Sequence, residues 1–302
     1  LRVRRLEKCF LVIEEIIEMN EEIKKIIQYK HNFLNYHKNT SNPEIQEMIE
    51  YIKKVDRFGM INSPLEQKYT NCNVECYYDM QCEMPYLYEG NKKLYFPHGY
   101  DEKRVKNLYS CLKREQDLQS PHRYIDEEDL KIIKEQRALG RKCICLDLGA
   151  MEGMFSLSLV EEVDELHLFE CESEWSDALK QTFEQLGGRV VNKFVGEHTF
   201  DEYINIDDYL KDLDLHNVFL IVKMDIEGYE RFALKGMKKT LDSVADYLLF
   251  VCAYHRQDDE AVIRDMFKKH KIRNTKGYFC FYVAEDYDVP YVRRCVLKVQ
   301  KN

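Results

Sequence analysis

The chain has 302 residues, 45% of them hydrophobic, and a formal net charge of −9. With only 12 glycines and 6 prolines it is neither collagen-like nor of low complexity, and its hydrophobic content excludes a disordered chain. The acidic balance argues against a general nucleic-acid-binding protein, because such proteins usually carry a basic excess.

The cysteines and the hydropathy indicate a cytoplasmic protein. There are 11 cysteines, an odd number in a chain too long to need disulfide bonds, and several lie in apolar runs. No stretch approaches the roughly 18 uninterrupted apolar residues of a membrane span, and no signal peptide is visible. We expect a cytoplasmic protein without an integral membrane segment. The chain begins at Leu1, and what precedes it is left open.

Residues 1–118 predict a helical N-terminal region with a Tyr- and Cys-rich segment. Apolar side chains recur every three or four positions in 1–39, which is typical of a long helix that docks on the rest of the protein or on a second copy. Further along, Gly90 and Asn91 predict a hairpin turn. We expect this region to serve as a substrate lid or as the contact of a homo-oligomer.

The remaining residues, 119–302, predict a second domain of alternating strands and helices. Asp126 caps a helix that ends near Gly140, and the alternation follows. Strands are predicted at 143–148, 166–170, 189–195, 218–225, 247–253, 278–284 and 291–299. Helices are predicted at 153–162, 173–186, 206–214, 229–242 and 258–270. Apolar strands separated by helices indicate a doubly wound, mostly parallel seven-stranded α/β sheet, and the last two strands indicate an antiparallel edge hairpin.

The turn after the first of these strands contains Asp147, Gly149 and Gly153. The glycines let the backbone approach a ligand, but the spacing is not the dinucleotide fingerprint. An acidic residue before the first glycine would oppose a pyrophosphate and would suit an amino acid–nucleoside such as S-adenosylmethionine. The turn therefore favours a nucleoside ligand without a pyrophosphate.

Two further strand ends carry charged residues. Glu170 ends the second strand, 23 residues after Asp147, where a carboxylate can accept both ribose hydroxyls. Lys223, Asp225 and Glu227 end the fourth strand on one side of it. Ligands of such sheets bind at the carboxyl ends of the strands, so these residues predict the active cleft.

These runs resemble the FkbM family of methyltransferases. The matching segments are 146–150 with 153–157, 169–170, 206–210, 223–230, 234–236 and 253–256. The resemblance covers 143–299 and reaches back to 114–124. It implies a class I, Rossmann-like, S-adenosylmethionine-dependent methyltransferase that acts on a hydroxyl oxygen. Family substrates include sugars, glycolipids and natural products.

The resemblance also implies roles for individual residues. The cofactor-binding residues would be Asp147, Gly149, Ala150, Gly153, Phe155, Glu170, Cys171, Trp175 and Asp225. Glu170 would hold the ribose, Asp225 would lie beside the sulfonium, and Trp175 would border the adenine or simply pack on its helix. Met151 stands where the usual methyltransferase pattern has another glycine, which the FkbM pattern tolerates.

The catalytic candidates are His255, Asp225 and Lys223. A sugar hydroxyl is a poor nucleophile, so a general base is useful, and His255 follows the fifth strand where a cleft residue belongs. Lys223 would pair with Asp225 or steer the substrate oxygen. The substrate-contacting candidates are His122, Arg123, Glu227 and Tyr254. The pair His122-Arg123 would hold the cofactor carboxylate or the substrate, or cap the next helix.

No metal site is expected. The spacing of Cys72, Cys76 and Cys82 fits neither a zinc pair nor a radical cluster, so buried thiols are the better interpretation. Asp207, Asp225 and Glu227 could bind a divalent ion, but carboxylates near a sulfonium already have a role.

Several alternatives stay open. The acceptor is a sugar, glycan or glycolipid precursor or, alternatively, a natural product or peptide. A nicotinamide-dependent oxidoreductase and a catalytically inactive nucleoside-binding scaffold are the other classes, and the intact Asp147, Gly149, Glu170 and Asp225 argue against the scaffold. The tyrosine-rich segment 59–125 is expected to form one wall or lid of the acceptor site.

Overall fold

A computed structural model describes residues 23–25, 27–55, 65–69, 73–280 and 289–301. The chain divides into two compact units, one of 1–66 with 277–293 and one of 67–276 with 294–302. These units follow spatial contacts, and the domain boundary expected at 118 stays a prediction. Among the described residues, every helix is too short or too polar to cross a lipid bilayer.

The helices and strands are numbered in chain order. The helices are α1 (27–36), α2 (Pro43–Lys54), α3 (Leu65–Lys68), α4 (Glu102–Glu115), α5 (Glu127–Ala138), α6 (Met154–Leu159), α7 (Ser173–Phe183), α8 (Ile206–Tyr209), α9 (Glu230–Lys235), α10 (Lys238–Ser243) and α11 (Asp259–Met266). The strands are β1 (Tyr77–Asp79), β2 (Met84–Glu89), β3 (Lys92–Tyr95), β4 (Lys142–Leu148), β5 (Glu165–Phe169), β6 (Gly188–Val191), β7 (Phe194–Val195), β8 (Tyr203–Ile204), β9 (Val218–Met224), β10 (Asp246–Cys252), β11 (Lys271–Asn274), β12 (Phe279–Cys280), β13 (Val292–Arg293) and β14 (Val296–Gln300).

The first unit is a small helical cluster. Tyr29 and Phe33 on α1 pack with Ile45 and Ile52 on α2, at the three- and four-residue spacing of amphipathic helices. The short strands β12 and β13 pair antiparallel in the same unit. The first part of the helix expected over 1–39 lies outside the described residues. The proposed role of this helix in oligomerisation therefore stays a prediction.

The second unit contains a seven-stranded sheet in the order β11-β14-β10-β9-β4-β5-β6. Strands β6, β5, β4, β9 and β10 are parallel, whereas β14 is antiparallel to both β10 and β11. Every residue of β9 is buried, as expected for a strand covered on both faces. The predicted α/β class and the mostly parallel seven-stranded sheet with an antiparallel edge are confirmed.

The identity of the edge strands differs from the sequence interpretation. The predicted hairpin joined 278–284 to 291–299, but β14 pairs with β11, and β12 pairs with β13 in the other unit. Strand β11 has the sequence Lys-Ile-Arg-Asn and is exposed or half-buried along its length. An edge strand with so few apolar residues gives no hydrophobic run for a sequence pattern to detect.

The predicted helix over 229–242 is two helices, α9 and α10, separated at Gly236. A Cβ atom at Gly236 would lie 2.2 Å from the carbonyl oxygen of Gly196, so the chain passes too close there for any other residue. The predicted helix over 206–214 is shorter, since only α8 is helical.

The tyrosine-rich segment forms a separate three-stranded sheet, β1-β2-β3. The expected hairpin at Gly90 and Asn91 is confirmed, because β2 and β3 pair antiparallel on either side of it. This sheet packs on α7, where the amide of Tyr95 donates to the Thr182 hydroxyl at 3.1 Å.

A buried cluster of charges fixes the start of α5, just after the segment that enters the candidate site. Asp126 caps the helix in a capping box with Asp129, as the sequence predicted for Asp126. The Lys298 ammonium contacts both carboxylates, 2.7 Å from Asp126 Oδ2, and Arg273 lies 2.6 Å from Asp129. Strand β14 therefore anchors the helix that follows His122.

Lys298→Met should destabilise the protein by about 3 kcal/mol, because it leaves buried carboxylates with less compensation. Urea unfolding checks this. Lys131→Met is the control, since Lys131 lies on α5 and forms an exposed ion pair with Glu135. Equal midpoints for the two variants would contradict the anchoring role.

Candidate active site

A cavity of about 460 Å³ lies in the second unit, at the carboxyl ends of the parallel strands. Its walls come from the loops after β4, β5 and β9, from β7 and β8, and from 112–124. The cavity is within the usual size range of small-molecule sites. It lies where the sheet topology predicts a ligand.

The loop after β4 touches the loop after β9 at Gly149. Gly149 has a φ of +78°, and a Cβ atom there would lie 1.9 Å from the carbonyl oxygen of Asp225. Only glycine fits this approach. The amides of Gly149 and Ala150 both donate to the carbonyl of Phe169 at 2.9 Å, which ties the loop to the end of β5.

Asp147 and Gly153 lie behind the cavity and do not line it. Asp147 is fully buried, accepts a hydrogen bond from Ser156 at 2.7 Å and lies 3.2 Å from the Lys223 ammonium. A Cβ atom on Gly153 would lie 2.4 Å from the Phe183 ring, so this glycine lets α6 pack against α7. Both residues shape the loop, and direct cofactor contact by either stays a prediction.

Glu170 lines the cavity with a fixed orientation. It is buried, and its carboxylate accepts hydrogen bonds from the amides of Met151 at 2.8 Å and Glu172 at 2.7 Å. Trp175 lines the cavity while its ring also packs edge-on against Tyr100. Five other predicted cofactor residues line the cavity: Gly149, Ala150, Phe155, Cys171 and Asp225.

Asp225, which also lines the cavity, is the centre of a polar cluster. Its carboxylate accepts hydrogen bonds from Tyr124 at 2.6 Å and Tyr254 at 3.2 Å. His255 Nε2 lies 3.4 Å from one carboxylate oxygen, and His122 Nε2 lies 3.7 Å from the other. Burial opposes ionisation, but chiefly the Lys223 ammonium lowers the pKa of Asp225 to about 2. The carboxylate is therefore ionised at neutral pH.

Lys223 connects the two loops from behind. Its ammonium donates to the carbonyl of Gly149 and pairs with Asp147. Burial works against its charge, but Asp147 and Asp225 raise the pKa of Lys223 above its ordinary value. The lysine is therefore a fixed cation that cannot serve as a base near neutral pH.

His255 lies beside Asp225 but does not line the cavity itself. Its Nδ1 lies 2.9 Å from Glu230 Oε1, and its Nε2 lies 3.4 Å from both Asp225 and Glu227. Burial would lower the pKa of His255, but Glu230, Asp225 and Glu227 together raise it above 6.5, its ordinary value.

The predicted substrate residues divide into two pairs. His122 and Glu227 line the cavity. Burial lowers the pKa of His122 to about 4, so its ring is neutral at pH 7. Arg123 and Tyr254 do not line it: Arg123 donates to the carbonyl of Ile125, and Tyr254 bonds to Asp225 and lies 3.2 Å from His122 Nε2.

Several lining residues received no role in the sequence interpretation, among them Glu115, Tyr124 and Glu152. Burial raises the pKa of Glu152 to about 7. Burial, with Glu152 and Asp225 nearby, also raises the pKa of Glu115 to about 7. Glu115 and Tyr124 belong to the segment 114–124 that carries the family resemblance, which was the available signal.

Of the three carboxylates considered for a divalent ion, Asp225 and Glu227 both lie 3.4 Å from His255 Nε2, whereas Asp207 has other partners. Asp207 accepts hydrogen bonds from the backbone and hydroxyl of Thr240, at 2.7 and 2.8 Å, at the start of α10. Among the described residues, Asp225, Glu230 and His255 bring candidate ligand atoms within 4.8 Å of one another. Cys76 and Cys82 are half-buried free thiols, so the expectation of buried thiols is wrong for them, and Cys72 lies outside the described residues.

The fold resembles several solved structures, but only distantly. Thermoplasma acidophilum 1320 shows 11% identity over 57% of this chain and 85% of that chain, with a TM-score of 0.35. Precorrin-6y C5,15-methyltransferase from Geobacter metallireducens GS-15 shows 12% over 59% and 91%, with a TM-score of 0.36. The bifunctional kinase-methyltransferase WbdD shows 20% over 61% and 41%, also at 0.36. No argument rests on likenesses at these TM-scores.

The family comparison is direct. No curated protein sequence matches the chain. The model of the methyltransferase FkbM domain matches residues 109–274, which is more than half of the chain and includes the loops after β4, β5 and β9. The fold is therefore the Rossmann-like methyltransferase fold, and the chain belongs to the FkbM methyltransferase family.

Proposed function

We propose that the protein transfers the methyl group of S-adenosylmethionine to a hydroxyl oxygen of a sugar, glycan or glycolipid precursor in the cytoplasm. The ionised Asp225 carries the proposal. Its carboxylate lines a cavity whose wall also contains a second oriented carboxylate, Glu170. A sulfonium cation joined to a nucleoside complements that arrangement.

The residues present fit this cofactor. Glu170 keeps lone pairs for ribose hydroxyls even while both carboxylate oxygens accept backbone amides. Trp175, Phe169 and Cys171 offer an apolar surface for a purine next to it. Two carboxylates in the cavity wall suit a cationic nucleoside and would oppose a pyrophosphate, which argues against a nicotinamide cofactor.

When bound, S-adenosylmethionine would supply a methyl group on a sulfonium. An oxygen can attack this methyl carbon in line, and the sulfur leaves as a thioether. Asp225 would offer its negative charge to the sulfonium, and two tyrosine hydroxyls hold the orientation of this carboxylate. His255 Nε2 accepts the proton that the acceptor hydroxyl loses as its oxygen–methyl bond forms. Lys223 holds the two loops together.

The tyrosine-rich segment 59–125 contributes to the cavity only in part. The sheet β1-β2-β3 contributes no residue to the cavity, whereas Leu112, Glu115, Gln116, His122 and Tyr124 do. We therefore propose that only the later part of 59–125 contacts the acceptor. A natural product or peptide remains the alternative acceptor, and an inactive nucleoside-binding scaffold the alternative of another class.

Titration calorimetry with S-adenosylmethionine, S-adenosylhomocysteine and NAD tests the cofactor. We expect the two sulfur compounds to bind, and Glu170→Gln to weaken them by about 10- to 100-fold, because hydrogen bonds to a charged acceptor contribute about 1.5–3 kcal/mol. Glu174→Gln, on the exposed part of α7, is the matched control. Binding of NAD but of neither sulfur compound would overturn the proposal.

His255→Ala should lower kcat by about 10²- to 10⁴-fold, the usual contribution of a general base, and leave cofactor affinity unchanged. Protonated His255 cannot accept a proton, so the wild-type rate should rise with pH through the raised pKa of His255, above 6.5. Formation of S-adenosylhomocysteine with a panel of glycosides measures both effects. The control is His216→Ala, which changes an exposed histidine. Full turnover by His255→Ala would remove His255 from the mechanism.

A further inference from the structure

Glu230 is a buried carboxylate at the start of α9 that the proposed mechanism does not yet use. It is fully inaccessible to solvent, and its Oε2 has no hydrogen-bond partner among the residues that the structure describes. Burying a carboxylate is costly unless its contacts compensate for the lost hydration. The contacts of its other oxygen therefore indicate why a carboxylate occupies this position.

Glu230 Oε1 contacts the ring of His255 and one short stretch of backbone. It accepts hydrogen bonds from the amides of Ile226 at 3.0 Å and Gly228 at 3.4 Å. The same oxygen lies 2.9 Å from Nδ1 of His255. One atom thus joins the loop after β9 to the histidine that follows β10.

The turn that Glu230 holds forms part of the cavity wall. Glu227 has a φ of +53° and Gly228 a φ of +91°, so both residues adopt the left-handed region. Such a conformation is costly for a glutamate and persists only where its surroundings fix it. Ile226 and Glu227 line the cavity, so the carboxylate supports the wall as well as the ring.

The position of Glu230 decides which nitrogen of His255 carries the proton. A carboxylate 2.9 Å from Nδ1 favours a proton on that nitrogen, because an unprotonated Nδ1 would face it lone pair to lone pair. The neutral ring then presents an unprotonated Nε2 toward Asp225 and Glu227, which lie farther away, at 3.4 Å, and which both line the cavity. In other enzymes too, a third group orients the base through one atom while the base accepts the proton at another.

We propose that Glu230 is the positioning residue of His255: its carboxylate holds the proton on Nδ1 and leaves Nε2 to accept the proton of the acceptor hydroxyl. This inference rests on the proposed function, in which His255 is the base. Glu230 itself neither gains nor loses a proton in the step, and the hydroxyl proton ends on Nε2.

Other charged groups also face His255 and contribute to its titration. Asp225 and Glu227 approach Nε2 from the loop after β9, the ring of Tyr254 packs against the imidazole, and His122 lies on the far side of Asp225. Glu230 is the carboxylate closest to the ring and the one that faces Nδ1. Its charge is therefore the contribution that a single substitution removes most cleanly.

Nitrogen-15 NMR of the histidine rings in the wild-type chain tests the tautomer without any acceptor or cofactor. His255→Ala identifies the His255 signals by their loss. We expect the neutral ring to carry its proton on Nδ1. A proton on Nε2 would overturn the inference, and this measurement needs no Glu230 variant to fold.

Glu230→Gln then removes the charge while its amide oxygen can still accept the two backbone amides. The pKa of His255 should fall, because the nearby negative charge that raised it is gone. The acid limb of the pH–rate profile should therefore move to lower pH. The value of kcat should fall by about tenfold, which is less than the loss of a general base would cause, and the KM for the cofactor should not change.

Asp259→Asn is the matched control. Asp259 is another fully buried carboxylate that accepts a backbone amide, from Arg256 at 2.7 Å, and it pairs with Arg231 rather than with His255. The Asp259→Asn substitution should leave the tautomer and the pKa of His255 unchanged, even if it lowers the stability of the protein. A Glu230→Gln protein with the wild-type pKa, kcat and pH profile would overturn the inference. A wild-type protein that binds neither sulfur compound would instead overturn the proposed function, and the tautomer measurement would still decide the role of Glu230.

Discussion

A single buried ammonium group holds the candidate site together. Lys223 on β9 lies directly opposite Asp147 on β4 in the parallel register, and its Nζ reaches both that carboxylate and the Gly149 carbonyl. Breaking such a pair is strongly destabilising, because it leaves uncompensated charge in the core. The same ammonium keeps Asp225 ionised despite its burial. The loop shape and the charge of the cavity therefore depend on one side chain.

The carboxyl groups around this lysine explain the electrostatics of the cavity. Burial raises the pKa values of Glu115 and Glu152 to about 7, and the charge of Lys223, which pairs with Asp147, offsets this only in part. Coulomb interactions are strong where water is excluded, so a cationic ligand would relieve this excess of acidic groups. The arrangement is consistent with a sulfonium ligand and unfavourable for an anionic one.

The interior of the fold could be predicted from the sequence far better than its edge. Strands such as β9 are apolar throughout, so their pattern is unmistakable, and the charged residues that end them mark the cavity. Strand β11 is half-solvated and carries a single isoleucine, so no periodicity identifies it. Tyr124 and Glu230 were missed as site residues because their roles depend on contacts with Asp225 and His255, 101 and 25 positions away. The position of Asp147 in the motif predicts contact with a ligand. In the structure its carboxylate contacts Lys223 and Ser156, and contact with a ligand stays a prediction.

The connection between the last two strands of the sheet has a consequence for synthesis on the ribosome. Strand β14 lies between β10 and β11, yet it follows both in the chain, after the segment 277–293 that belongs to the other unit. While the chain grows, β10 therefore has an unpaired edge and β11 has no partner in the sheet until β14 emerges. Exposed strand edges are common starting points for aggregation. Protection of the nascent chain matters most in the interval between the synthesis of β11 and that of β14.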